Sequence, residues 1–115
     1  MGRHNIIVGR AGEELTAKHY ATLGYELVAR NWRSGRAGEI DLVVARRDVL
    51  VFCEVKSRTS DRFGTPAEAV DWRKQQRLRR LALAFLAAHE VHPRQIRFDV
   101  ASVLAREVQL IEDAF

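Results

Sequence analysis

Two carboxylates and an ammonium are spaced for chemistry in two short apolar runs. Asp41 lies in the run at 39–45 (EIDLVVA), and Glu54 and Lys56 lie in the run at 49–56 (VLVFCEVK). Side chains alternate faces along a strand. Ile40, Leu42 and Val44 therefore point one way, and Glu39, Asp41, Val43 and Ala45 the other. On the second run Val51, Cys53 and Val55 oppose Leu50, Phe52, Glu54 and Lys56. Only Arg46, Arg47 and Asp48 separate the runs, so they read as an antiparallel hairpin. Matching apolar face to apolar face pairs Arg46 with Val49, Asp41 with Glu54 and Glu39 with Lys56. Like charges across a strand pair repel. A divalent cation between Asp41 and Glu54 would offset that repulsion, as Mg²⁺ does when held by carboxylates and phosphate oxygens. Lys56 would then stand beside it, suited to orienting a water or steadying charge on phosphorus. The plainer alternative is a Glu39–Lys56 ion pair, with Asp41 and Glu54 at an exposed end of the sheet.

The elements that must hold these groups are legible in outline. Residues 9–23 read as a helix, with Glu13 and Glu14 in its first turns and Gly24 at its C-terminal end. Residues 25–30 read as a strand and 31–38 (NWRSGRAG) as a loop. After the hairpin comes a loop at 57–64. A long helix at 65–88 follows, opened by the capping-box pattern Thr65, Pro66, Glu68. Its apolar stripe runs through Val70, Leu78, Leu81, Phe85 and Leu86. Residues 96–104 alternate as a strand, and 108–111 form a last one. The order α β β β α β β predicts an α/β protein with a central sheet covered by helices.

The chain of 115 residues fits one domain, 1–115. No apolar run nears the roughly 20 residues of a membrane span, and the first ten residues lack a secretory h-region. A lone Cys53 makes no internal disulfide, so a reducing cytoplasm is expected. It falls on an apolar face and reads as core rather than nucleophile. The four histidines are scattered and show no zinc spacing. Nineteen Lys and Arg against fifteen Asp and Glu give a net charge of +4, which favours acidic partners. Position matters more than the sum. Arg33 and Arg36 precede the acidic motif, Arg58 follows it, and Arg73, Lys74 and Arg77 crowd the start of the second helix. A charged helix face is usually only solvated. Next to the acids, contact with phosphate becomes an equal expectation. Trp32 and Trp72 could stack on bases, though packing in the core or at its rim is the commoner fate.

GEIDLVV at 38–44 and VFCEVKSR at 51–58 resemble the PD-(D/E)XK nuclease motif. The whole chain resembles the small bacterial YraN family, similar to archaeal Holliday junction resolvases. RAGEELTAKHY at 10–20, AVDWRKQQRLRRLA at 69–82 and RFDV at 97–100 carry that wider resemblance. It implies a restriction-endonuclease-like fold, with a mixed sheet of about five strands flanked by helices. It also implies that Asp41, Glu54 and Glu13 hold Mg²⁺ or Mn²⁺. Lys56 completes the E-X-K pair, and Gln75 is an auxiliary polar residue. Isoleucine rather than proline precedes Asp41, which is ordinary in the resolvase-like branch.

The expected activity is metal-dependent hydrolysis of phosphodiester bonds in DNA, branched or damaged. Two competing expectations are a nucleic-acid-binding module that keeps the fold without catalysis, and a subunit that acts only with a partner protein. A homodimer would suit a two-fold symmetric junction.

Overall fold

The computed structural model describes residues 3–58 and 70–115, with side chains from Arg10 onward. Two helices and five strands follow one another as α1 (Arg3–Thr22), β1 (Glu26–Arg33), β2 (Glu39–Arg46), β3 (Val49–Arg58), α2 (Trp72–His89), β4 (Gln95–Leu104) and β5 (Glu107–Ile111). The strands form one sheet in the order β1-β2-β3-β4-β5. β3 and β4 are parallel and every other pair is antiparallel, so the sheet is mixed. The parallel pair needs a long crossover, and α2 lies within it.

The helices cover opposite faces. Alternation along β3 sends Val51 and Cys53 to one side and Leu50 and Phe52 to the other. The first side packs with Tyr20 of α1, Leu42, Val44 and Ala101. The second packs with Leu78, Leu81, Ala82 and Phe85 of α2 and with Phe98 and Val100. Two apolar faces on one sheet explain why its central strands are almost continuously hydrophobic.

Local chemistry sets the element ends. Gly24 has φ 89°, and the Tyr25 amide donates to the Tyr20 carbonyl at 3.1 Å, closing α1 where the glycine predicts. The β2–β3 turn carries Arg47 at φ 55°, and Arg46 pairs with Val49 as the hairpin register requires.

Four expectations need correction. α1 begins at Arg3, not residue 9, so Glu13 is mid-helix and the first turn contains no acid. A favourable charge at a helix start therefore does not explain Glu13. The expected loop at 31–38 is partly strand, since β1 runs to Arg33. A helix running unbroken through 65–88 is also absent. Val70 lies in a bend, and α2 starts at Trp72 with Asp71 as N-cap, its carboxylate accepting the Lys74 amide at 2.9 Å. Thr65, Pro66 and Glu68 lie outside the described residues. Finally, strict alternation fails on β2. Ile40 packs on the α2 side with Val43, while Leu42 and Val44 pack on the α1 side.

Candidate metal and nucleic-acid site

The break in alternation falls at Asp41. The β2–β3 ladder runs from Arg46–Val49 to Leu42–Cys53. Beyond it Asp41 Oδ2 accepts the Val55 amide at 2.8 Å, so a side chain takes a donor that a continued ladder would offer to main chain. On the other flank, β1 pairs with β2 at Arg30–Leu42 and again at Trp32–Ile40, and Asn31 between them has φ 50°. Asparagine tolerates that left-handed conformation better than most residues. The two irregularities face each other and hold Asp41 where the strands part.

Carboxylates from two further elements converge there. Glu13 on α1, Glu39 on β2 and Asp41 each offer an oxygen, and the three oxygens lie within 4.8 Å of one another. Glu13 is only 8 % exposed, and its Oε1 is buried without a hydrogen-bond partner. Burial raises the Glu13 pKa. A hydrogen bond with Asn31 opposes the rise, and the charges of Asp41 and Glu39 add to it. A buried orphan oxygen is costly, and a cation among these three acids would satisfy it.

Glu54 stands on the other side of Asp41. Lys74 Nζ approaches its Oε1 at 3.7 Å, with side-chain exposures of 33 % and 17 %. Burial raises the Glu54 pKa, and Lys74, Arg77 and Lys56 oppose it. Asp41 is pushed up to about 7, chiefly by burial and next by the charge of Glu54; the Val55 amide pulls the other way. The two acids share a hydrogen bond that favours a proton on Asp41 and charge on Glu54. Close carboxylates in a partly dry site commonly share one proton.

α1 can bring Glu13 this close because Gly12 has no side chain. A Cβ at Gly12 would run into Ser57 Oγ on β3. Further along the helix Tyr20 donates to Asp99 Oδ2 at 2.6 Å. Asp99 is fully buried, and Arg97 grips both of its oxygens at 2.8 and 2.9 Å. The aspartate of the RFDV segment thus serves as an anchor between α1 and the sheet, remote in role from the acids at Asp41.

The expected site residues divide accordingly. Asp41 and Glu13 come together, and Glu54 meets Asp41 without joining the Glu13–Glu39–Asp41 group. Lys56 is exposed and acts on Glu54 through its charge. Gln75 donates to the Val70 carbonyl at 3.1 Å, so it serves the entry to α2. Arg33 pairs with Glu39 at 3.1 Å. Arg36 and Arg73 are exposed, as is Arg77, whose stem lies by Gly38. Arg58 ends β3. Glu39 and Asn31 were not among the expected site residues. A strand asparagine immediately before a tryptophan was the available signal for Asn31. The tryptophans also part company. Trp32 packs edge-on to Phe85 at 5.2 Å, while Trp72 is 70 % exposed, against the expectation of packing.

The fold and site define a mixed-sheet α/β protein with a cluster of acids at a parting of strands. The model of the family described as "Uncharacterised protein family UPF0102" matches residues 12–103, and the chain belongs to that family, the YraN family of its motifs. It is similar to a UPF0102 protein of Rhodococcus opacus (strain B4), 43% identical over 117 residues, covering 97% of this chain and 98% of the relative. A UPF0102 protein of Nocardia farcinica is 53% identical over 97 residues, covering 84% and 76%. One from Frankia casuarinae is 51% identical over 96 residues, covering 84% and 80%.

Proposed function

We propose that this chain is a divalent-cation-dependent DNA endonuclease of restriction-endonuclease-like build, resembling the archaeal junction resolvases. The observation that carries the reading is the orphaned, buried Glu13 Oε1 beside Asp41 and Glu39. Three close acids with an unused buried oxygen fit the hard-oxygen preference of Mg²⁺ or Mn²⁺. Glu13, Glu39 and Asp41 would hold the cation, with Glu54 on the far side of Asp41. When bound, such a cation supplies Lewis-acid polarisation of a phosphoryl oxygen and a more acidic water.

The chain's own residues supply the rest. Asp41 is fixed by the Val55 amide and releases its proton near neutral pH. Glu54, kept charged by Lys74, is placed to accept a proton from water. Lys56 and Lys74 lie where negative charge on a phosphodiester would develop, and Arg36, Arg73 and Arg77 add positive charge along the approach. Among the described residues no helix is long and apolar enough to cross a membrane. Together with the buried free thiol of Cys53, that supports a cytoplasmic setting.

The test is cleavage of duplex, single-stranded, flapped and four-way-junction DNA by purified protein with Mg²⁺ or Mn²⁺. Cation-dependent cutting that Asp41→Asn and Glu54→Gln abolish is expected. No cutting of any of these substrates with either ion overturns the reading.

A further inference from the structure

Trp72 is the most exposed large apolar side chain among the described residues, at 70 %. It is the first residue of α2, and neither hydrophobic core includes it. Indoles bury some 150–250 Å² when they find a surface, so one left open has forgone that gain on its own fold. Its surroundings are cationic. Arg73, Arg77 and Arg80 are exposed, and none takes part in an ion pair among the described residues. Arg79, by contrast, is spent on the Phe98 and Phe115 rings at 5.0 and 5.5 Å. Two residues after Trp72, about 3 Å further along the helix axis, Lys74 reaches Glu54 beside Asp41.

An open aromatic ring among free guanidinium groups, one short step from an acidic site, matches a polyanion that also offers a flat ring. Nucleic acid combines the two, because base faces stack on indoles while phosphates meet arginines. Inside a duplex, base faces are already covered by their neighbours, and only edges and backbone are presented. The indole can stack only where a strand has an unpaired base.

We propose that Trp72 is a base-stacking platform that selects nucleic acid carrying an unpaired base next to the phosphodiester at the carboxylate site. This rests on the reading of that site as one that meets a phosphodiester. The preferred class is then single strands, flaps and gapped or frayed ends, ahead of fully paired duplexes and fully paired junctions.

Binding of the full chain is measured in EDTA, which separates it from any cleavage. The probes are a fluorescently labelled twelve-nucleotide oligothymidylate, the same backbone with abasic sites, and a blunt hairpin duplex. Oligothymidylate should quench the tryptophan emission of the wild type, and Trp72→Phe should lose most of that quenching because Trp32 is packed. Trp72→Ala should weaken oligothymidylate binding roughly 5- to 100-fold and duplex binding less than about twofold. The abasic strand should bind wild type about as weakly as the oligothymidylate binds Trp72→Ala. Trp72→Phe should retain part of the affinity, since a phenyl ring also stacks. Circular dichroism melting should be unchanged in both variants, because the ring is outside the core.

The proposal is overturned if Trp72→Ala binds oligothymidylate as the wild type does, or if both strands and duplex weaken equally. It also fails if the abasic strand binds as well as the normal one, which would leave charge alone. A wild-type emission that responds to protein concentration and not to oligonucleotide would assign the ring to a second copy of the chain. Base-dependent binding without cleavage in Mg²⁺ or Mn²⁺ would leave this proposal standing and remove only the nuclease reading.

Discussion

Asp41 binds the main chain of the neighbouring strand, its Oδ2 accepting the Val55 amide at 2.8 Å. One carboxylate thereby ends a strand ladder and stands between two groups of acids, Glu13 with Glu39 on one side and Glu54 on the other.

The pH response of the metal-free chain follows from this placement. Asp41 keeps its proton to about pH 7 when folded, but only to about 4 when unfolded. The folded state binds the extra proton, so this group's contribution to stability is complete below about pH 4 and is lost as pH rises through 7. The loss is on the order of 2–4 kcal/mol. Glu13 and Glu54 are shifted in the same direction. Urea unfolding of metal-free wild type from pH 5 to 8.5 should show falling stability. Asp41→Asn should be flatter and more stable at pH 8, because the asparagine carbonyl still accepts from Val55. Mn²⁺ should restore the wild type at pH 8 and leave Asp41→Asn unmoved. A wild type that gains stability with pH would contradict the arrangement.

Glu39 tests which acids bind. Isothermal titration of Mn²⁺ should show Glu39→Gln weaker than wild type by on the order of tenfold or more. Glu14→Gln, on the exposed side of the same helix as Glu13, should bind as the wild type does. Equal affinities for Glu39→Gln and wild type would remove Glu39 from the cation site.

The Asp99 anchor has a stability signature. Tyr20→Phe takes away a 2.6 Å donor from a fully buried carboxylate and should cost about 1.5–3 kcal/mol. Asp99→Ala strands Arg97, whose other acidic contact is Glu112 at 3.9 Å, and should cost about 3–5 kcal/mol. Urea unfolding measures both. A Tyr20→Phe variant as stable as wild type would show that the phenol contributes nothing to holding α1.

Much of the hairpin could be read from residues alone. Apolar faces and a short turn fix Arg46 against Val49, and the structure has that register. Alternation then fails at Asp41, because a period of two assumes that main chain pairs with main chain. Once the Asp41 side chain takes the Val55 amide, Ile40 turns to the α2 face and Glu39 approaches Glu13. That is why Glu39 read as a partner for Lys56 and not as part of the acidic group. The start of α2 was misplaced for a related reason. Thr65 with Pro66 is a strong local signal, yet Asp71 is the residue that caps α2. Trp72 read as ordinary packing because exposure depends on neighbours from other elements, which no local pattern contains.

The two ends of the acidic centre are joined over very different stretches of chain. Asp41 and Val55 are 14 residues apart, whereas Tyr20 and Asp99 are 79 apart. Short-range closure is entropically cheaper and faster. During refolding the hairpin acids would therefore be in place before α1 docks and delivers Glu13. Cation uptake becomes a clock for the final docking event, and a nascent chain would be spared a working cleavage centre until its architecture is complete.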